Sequence, residues 1–317
     1  MDLAGGTLDI WPLNLMVEGA LTLNMAISVR AHAAVTPLRG GAIAVRSVDQ
    51  AMEARYSSPR ALGHGHRLGL ITRLVQHFAP EGGVEVVTRS EAPAGAGLAG
   101  SSALAVAVCG ALARATGVRM APRELIEIVR DHEAAHLGIP TGLQDYGAAV
   151  YGGVHAFHFP AGGMKPESIR GEALARRVVL FYSGASRSSG INNWEMFRRL
   201  IEKDRRITRR FGNIASIARE AAQALRVNNM AAFDLAVNEE WKARRTLFPA
   251  ISTPVIDRAI ASGRRAGAKA ARICGAGGGG CFFLLAEPER HAAVIRAVET
   301  HGCRHIPFSL SKSGLKF

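Results

Sequence analysis

The sequence predicts an α+β protein of two domains, and three observations carry that prediction. Extended segments such as "ALTLNMAISV" (20–29) and "GAIAVR" (41–46) fill the start of the chain before helical periodicity sets in. A second set of strands and helices opens at "RRVVLFYSG" (176–184). Near the end, "AARICGAGGGGCFFLLA" (270–286) reads as strand, glycine loop, strand. A chain of 317 residues accommodates two medium domains, and 48% apolar against 21% charged residues excludes a disordered chain.

Taken in order, the β-rich start gives way to a helix around 65–79, a strand in "VEVVTR" (84–89) and a small-residue helix from Ser102 to Thr116. Pro122 suits the first turn of the next helix, and Pro140 follows its end. "HFPAGGMKPES" (158–168) has the proline and glycines of a domain connection, which divides the chain into 1–165 and 166–317. Helices are then expected near 191–210, 213–226, 230–245 and 253–266. There are no short repeats and no low-complexity tract.

No stretch approaches the roughly 18 apolar residues of a membrane span. The start lacks the basic and apolar regions of a signal peptide, so a cytoplasmic location is expected. Cys109, Cys274, Cys281 and Cys303 lack CxxC spacing, so reduced thiols are expected rather than a structural zinc cluster. The net charge of +13 suits a nucleic acid, an acidic membrane surface or a phosphorylated small molecule. The densest basic run, from Arg198 to Arg210, has little aromatic interleaving for base stacking and reads first as a solvated helix face, with substrate steering or nucleic-acid binding as the alternatives.

Three motifs carry chemistry. In "EAPAGAGLAGSSALAVAV" (91–108), Gly95 to Gly100 satisfies GxGxxG, and with Ser101 and Ser102 it approximates a Walker loop that has serine in place of lysine. Both matches are defective. No second strand with a terminal acid follows for a dinucleotide, and the Walker lysine is absent. Their shared physics remains: glycines open backbone N–H groups to an anion, and the next helix directs its positive end at it. The plain alternative is a tight strand-to-helix turn.

The second motif, Gly275 to Gly280, has a single methyl in six residues, an entropic cost that favours close backbone approach to a phosphate chain or to the first loop over the alternative of a flexible hairpin. The third, His132-Glu133-Ala134-Ala135-His136, spells the HExxH of a zinc protease. Its histidines continue the apolar stripe of Leu125, Ile128 and Val129, which makes them packed residues, and no third ligand arrives at a recognisable spacing.

Together these segments resemble the GHMP kinase superfamily, which includes galactokinase, homoserine kinase, mevalonate kinase and phosphomevalonate kinase. Pro93, Gly97, Leu98, Ser101, Ser102 and Ala103 match its central motif, "GAGGGG" its third, and "DLAGGTLDIWP" (2–12) its first. That first motif, the two-residue spacer Ala99-Gly100 and "TGLQDYGAAVYGG" (141–153) are similar to the branch of heptose kinases and bacterial fucokinases.

The resemblance covers nearly the whole chain. It implies a two-domain fold with a ribosomal-protein-S5-domain-2-like first domain and a ferredoxin-like second. It also implies transfer of the γ-phosphate of ATP, with Mg²⁺, to a sugar or sugar-phosphate hydroxyl, an anomeric one foremost. Two readings stay open beside it, a mevalonate-type alcohol kinase and a nucleotide- or RNA-binding protein without turnover. A homodimer is compatible with all of them.

By the same resemblance Asp145 orients or deprotonates the acceptor hydroxyl. The loop of Pro93, Gly95, Ala96, Gly97, Leu98, Ala99, Gly100, Ser101 and Ser102 wraps the triphosphate. Ser101, Ser102 and Glu133 are the metal ligands. Asp9 binds sugar hydroxyls with Gly5 and Gly6 allowing close approach, and Gly277 and Gly278 pack near nucleotide and acceptor. Arg187 is a candidate for an acidic group on the acceptor.

In the sugar kinases an arginine in a first strand directly precedes the segment that matches residues 1–6, and here Met1 stands at the hydrophobic position after it. Strand and arginine are therefore expected to be missing, with a GTG valine read as methionine and an arginine codon just upstream. A stop codon there would end that idea. Without that strand, the first sheet is expected to be unprotected at one edge.

Overall fold

The computed structural model describes residues 1–317 other than His64, His66, Glu81, 186–196 and Ala276. Its first half runs β1 (Asp2–Ala4), α1 (Leu13–Met16), β2 (Leu21–Met25), β3 (Ala31–Leu38), β4 (Ile43–Ser47), β5 (Met52–Tyr56), α2 (Gly69–Phe78), β6 (Gly83–Ser90) and α3 (Gly100–Ala115). There follow α4 (Pro122–Leu137), α5 (Gln144–Tyr151), β7 (Val154–His158), β8 (Lys165–Ile169), α6 (Glu172–Ala175) and β9 (Val178–Tyr182). The last part holds α7 (Arg205–Arg226), α8 (Met230–Arg245), α9 (Pro254–Arg265), β10 (Ala270–Ile273), β11 (Cys281–Leu285), α10 (His291–Glu299) and β12 (Arg304–His305).

The strands form three four-stranded sheets, ordered β1-β2-β7-β8, β3-β6-β4-β5 and β10-β11-β9-β12. β2 is buried at all five positions. Both its faces are therefore covered, although its sequence alternates Leu21, Leu23 and Met25 with Thr22 and Asn24; the polar face is inside too, with the Asn24 amide donating to Thr22 and Gln144. In contrast β3 alternates between half-buried and exposed residues, as a one-sided strand does. The small residues of α3 let it run close to α2, α4, α5 and β3 at once.

Several expectations are corrected. Residues 158–168 are not a free connection: they form the turn and flanks of the β7–β8 hairpin, with His158 paired to Lys165. We propose that the two domains meet close to this hairpin. The break expected near 210–213 is absent, because α7 continues through it with Gly212 facing open space. This helix starts at Asp204, whose side chain accepts from the N–H groups of Arg206 and Ile207.

On α4 the buried stripe is Leu125, Ile126, Val129 and Glu133. The 3.6-residue period thus turns Glu133 inward, and the half-buried histidines flank it rather than continuing the apolar face. The His132 ring meets His77 edge-on at 4.9 Å. The first strand expected to be missing is present, since Asp2–Ala4 pairs with β2.

A buried ionic network covers that strand and ties it to the C-terminal part of the chain. The Arg272 guanidinium donates to Asp2 Oδ2 and Glu240 Oε2, each at 2.7 Å, and to the Asp2 carbonyl at 2.8 Å. Glu240 Oε1 accepts from Arg244 and, at 3.2 Å, from the Gly5 N–H, while Arg244 also donates to the Gly6 carbonyl at 2.7 Å. Burial works against the Glu240 charge, yet Arg244 and Arg272 hold its carboxyl down to about 2.

Candidate active site

The loop after β6 uses small residues to expose its backbone. Gly95, Gly97 and Ala99 all have positive φ, at 68°, 72° and 61°. A β-carbon strains such a conformation, so Ala99 carries a cost of about 1–2 kcal/mol at the start of α3. Ala96 and Leu98 alternate with these residues and are buried, anchoring the loop in the core. Among the loop residues expected to contact triphosphate, Leu98 is thus an anchor. Pro93, Gly95, Ala96, Gly97, Ala99, Gly100, Ser101 and Ser102 line a cleft of about 420 Å³ at the amino end of α3.

The second glycine loop closes on the first. The Cys281 N–H donates to the Ala96 carbonyl at 2.6 Å, and a β-carbon on Gly280, whose φ is +76°, would sit 2.6 Å from that same oxygen. Gly277 and Gly278 meet Ile251 instead: the Gly278 N–H donates to its carbonyl at 2.7 Å. Neither lines the cleft, whereas Gly275 does. Gly280→Ala should therefore cost about 1–3 kcal/mol and raise the KM for ATP. Urea denaturation and ATP titration check this, and an unchanged protein would show that the two loops do not depend on their contact.

Glu133 reaches the cleft from α4. Its Oε1 accepts from Ser101 at 2.8 Å, and its Oε2 accepts from Ser102 at 3.1 Å and from the Tyr146 phenol at 2.6 Å. One carboxylate and two hydroxyls at a helix amino end fit Mg²⁺, which uses few protein ligands and takes the rest from phosphates and water.

Asp9 and Asp145 line the same cleft. Asp9 is 2% exposed and accepts from the Gln144 N–H at 3.0 Å through Oδ2. Burial pushes its pKa up to about 6, against the lowering effect of backbone hydrogen bonds. Gly142 is required beside it, because a β-carbon there would come within 1.8 Å of Asp9 Oδ2. Asp145 lies in the first turn of α5 with one side facing the cleft. Burial, opposed by the Met1 ammonium and reinforced by Asp9, Asp2 and Glu133, raises its pKa to about 7.

The structure brings Asp9, Glu133, Asp145, the Ser101–Ser102 pair and most of the first loop into one cleft. Gly5 and Gly6 lie outside it; β-carbons there would press on the Leu21 carbonyl and on Asp2. Arg187 falls outside the described residues. Sequence reasoning missed Tyr146, Thr141, Gln144 and Asn24. The Asn24 amide donates to Gln144 Oε1 at 2.9 Å and steadies the segment that carries Asp145. A tyrosine directly after the candidate aspartate was the one available signal.

Residues 68–153 match the family model of the GHMP kinases N-terminal domain, and residues 221–302 that of the GHMP kinases C-terminal domain. A D-glycero-alpha-D-manno-heptose 7-phosphate kinase of Campylobacter jejuni is 26% identical over 329 residues, spanning 100% of this chain and 96% of the relative. A mevalonate kinase of Thermococcus sibiricus is 28% identical over 261 residues, or 78% and 72% of the two chains. The crystal structure of a D-glycero-D-manno-heptose 1-phosphate kinase from Bacteriodes thetaiotaomicron superposes with a TM-score of 0.77 at 22% identity, covering 99% and 94%. With both family domains matched in order and a two-domain fold shared end to end, the chain belongs to the GHMP kinases, ATP-dependent phosphotransferases that act on a hydroxyl acceptor.

Proposed function

We propose that this kinase phosphorylates a hydroxyl of a sugar or sugar phosphate, the anomeric hydroxyl of a hexose or of a phosphorylated heptose being the acceptor of choice. The observation that carries this reading is the pair Asp9 and Asp145, two carboxylates of raised pKa facing one cleft with the phosphate loop. A polyol acceptor can use both, one carboxylate to hold a hydroxyl and the other to receive a proton. Similarity over the full length to a heptose 7-phosphate kinase supports the same class.

In the proposed reaction the N–H groups of the Pro93–Ser102 loop and the amino end of α3 bind the triphosphate and align it. Asp9 orients the acceptor, and Asp145 holds the attacking hydroxyl and receives its proton. The oxygen then forms a bond to the γ-phosphorus as the bond to the β-γ bridging oxygen breaks and ADP departs. Glu133, Ser101 and Ser102 would hold Mg²⁺, which supplies charge neutralisation at the β- and γ-phosphates. Gly5, Gly6, Gly277 and Gly278 support the acceptor side through backbone packing, and Arg187 would meet an acidic group on the acceptor. A cytoplasmic location fits this reading. Among the described residues no helix is long and apolar enough to cross a membrane.

ADP release measured over a panel of hexoses, heptose phosphates and mevalonate tests the proposal. A sugar or sugar phosphate should give the highest kcat/KM. Mevalonate as the best acceptor would overturn the sugar assignment, and ATP binding without turnover on any member would favour a binding protein.

A further inference from the structure

The residue directly after Asp145 makes the shortest contact to Glu133. Tyr146 is 1% exposed, its phenol donates to Glu133 Oε2 at 2.6 Å, and Thr141 Oγ1 lies 3.1 Å from the phenol oxygen. A phenol hydroxyl is the only donor in this pair, so the bond to the carboxylate runs from Tyr146 to Glu133. A carboxylate offers about four acceptor sites. Ser101 occupies one on Oε1, and Ser102 with Tyr146 fills both on Oε2.

We infer that Tyr146, backed by Thr141, is a positioning residue that saturates Glu133 Oε2 and leaves a single lone pair, on Oε1, to face the metal. This rests on the proposed role of Glu133 as an Mg²⁺ ligand. Consecutive helical residues diverge by about 100° around the axis, so Asp145 and Tyr146 point to different walls of the cleft. The first turn of α5 thereby fixes the acceptor-side carboxylate and the metal-side carboxylate as one unit. A helix that only needed packing here would be served by phenylalanine.

Tyr146→Phe keeps the ring and removes the donor. With a non-hydrolysable ATP analogue bound, Mn²⁺ affinity read by electron paramagnetic resonance should weaken by about tenfold, the lower end of what loss of an outer partner costs a metal site. In turnover the Mg²⁺ requirement should rise in step, with kcat recovered at saturating Mg²⁺. Thr141→Val, a milder change at a half-buried position, should shift Mn²⁺ affinity in the same direction by less, and serves if the first variant folds poorly. Mn²⁺ affinity within twofold of the parent, or a kcat loss that Mg²⁺ does not restore, overturns the inference. Glu133→Gln separates the two levels: if it weakens Mn²⁺ binding while Tyr146→Phe does not, the positioning role alone fails. If Glu133→Gln binds Mn²⁺ like the parent, the metal-ligand reading fails and the positioning role falls with it.

Discussion

Asp145→Asn is expected to abolish phosphoryl transfer, leave ATP binding intact and make the protein more stable at pH 8. The catalytic loss should be on the order of 10²–10⁴-fold, the range for removing a positioned base. The stability gain follows from the raised pKa. Asp145 ionises near pH 7 in the folded chain against 3.8 for the free side chain. Its favourable contribution is therefore complete below pH 4 and is lost as pH climbs through 7. Ionising it in place is unfavourable, a cost that the asparagine variant avoids. Denaturation midpoints of the two proteins should coincide near pH 4 and separate by pH 8. Equal midpoints at both values would mean that the carboxylate is well solvated. Parent kcat/KM should likewise rise with pH up to about 7 as the group deprotonates.

Glu240→Ala is expected to have the largest cost to stability, about 3–5 kcal/mol, because it strands two buried guanidinium groups. Glu240 and Arg272 are fully buried and Arg244 is 1% exposed, so water does not replace the lost partner. The variant also frees the Gly5 N–H and loosens the Arg244 contact to Gly6. Its acceptor KM should therefore rise more than its ATP KM. Here the sign is opposite to that for Asp145: with a folded pKa of about 2 against 4.5, the Glu240 contribution is present above pH 4.5 and is lost toward pH 2. Urea denaturation at pH 7 checks the magnitude. A loss under 1 kcal/mol would show that the network does not hold the first strand.

The residues legible in the sequence were those whose chemistry is local. Gly95, Gly97 and the serine pair mark the proposed phosphate loop within a few positions, and Asp145 sits in a short turn-rich run that one motif covers. What the sequence hid depends on distant pairing. Arg272 and Asp2 are 270 positions apart, and nothing local marks either as a buried ion. The His132–His136 stripe misled because either of two helix faces fits four apolar positions. Only the docking of α4 on α3 decides that Glu133 points inward. The gap expected between 210 and 213 does not interrupt the helix, because Gly212 faces open space and its cost of about 1 kcal/mol is absorbed by a 22-residue helix. Gly5 and Gly6 announced a close approach, but to Leu21 and Asp2 of the chain itself.

Product formation is the most direct test of sugar-kinase activity at this site. With ATP, Mg²⁺ and a panel of sugars and sugar phosphates, phosphorus NMR should show a new phosphate-ester resonance for a sugar acceptor, appearing in step with ADP and absent with Asp145→Asn. ADP formed at the same rate with and without acceptor, or an ester produced undiminished by Asp145→Asn, would contradict it.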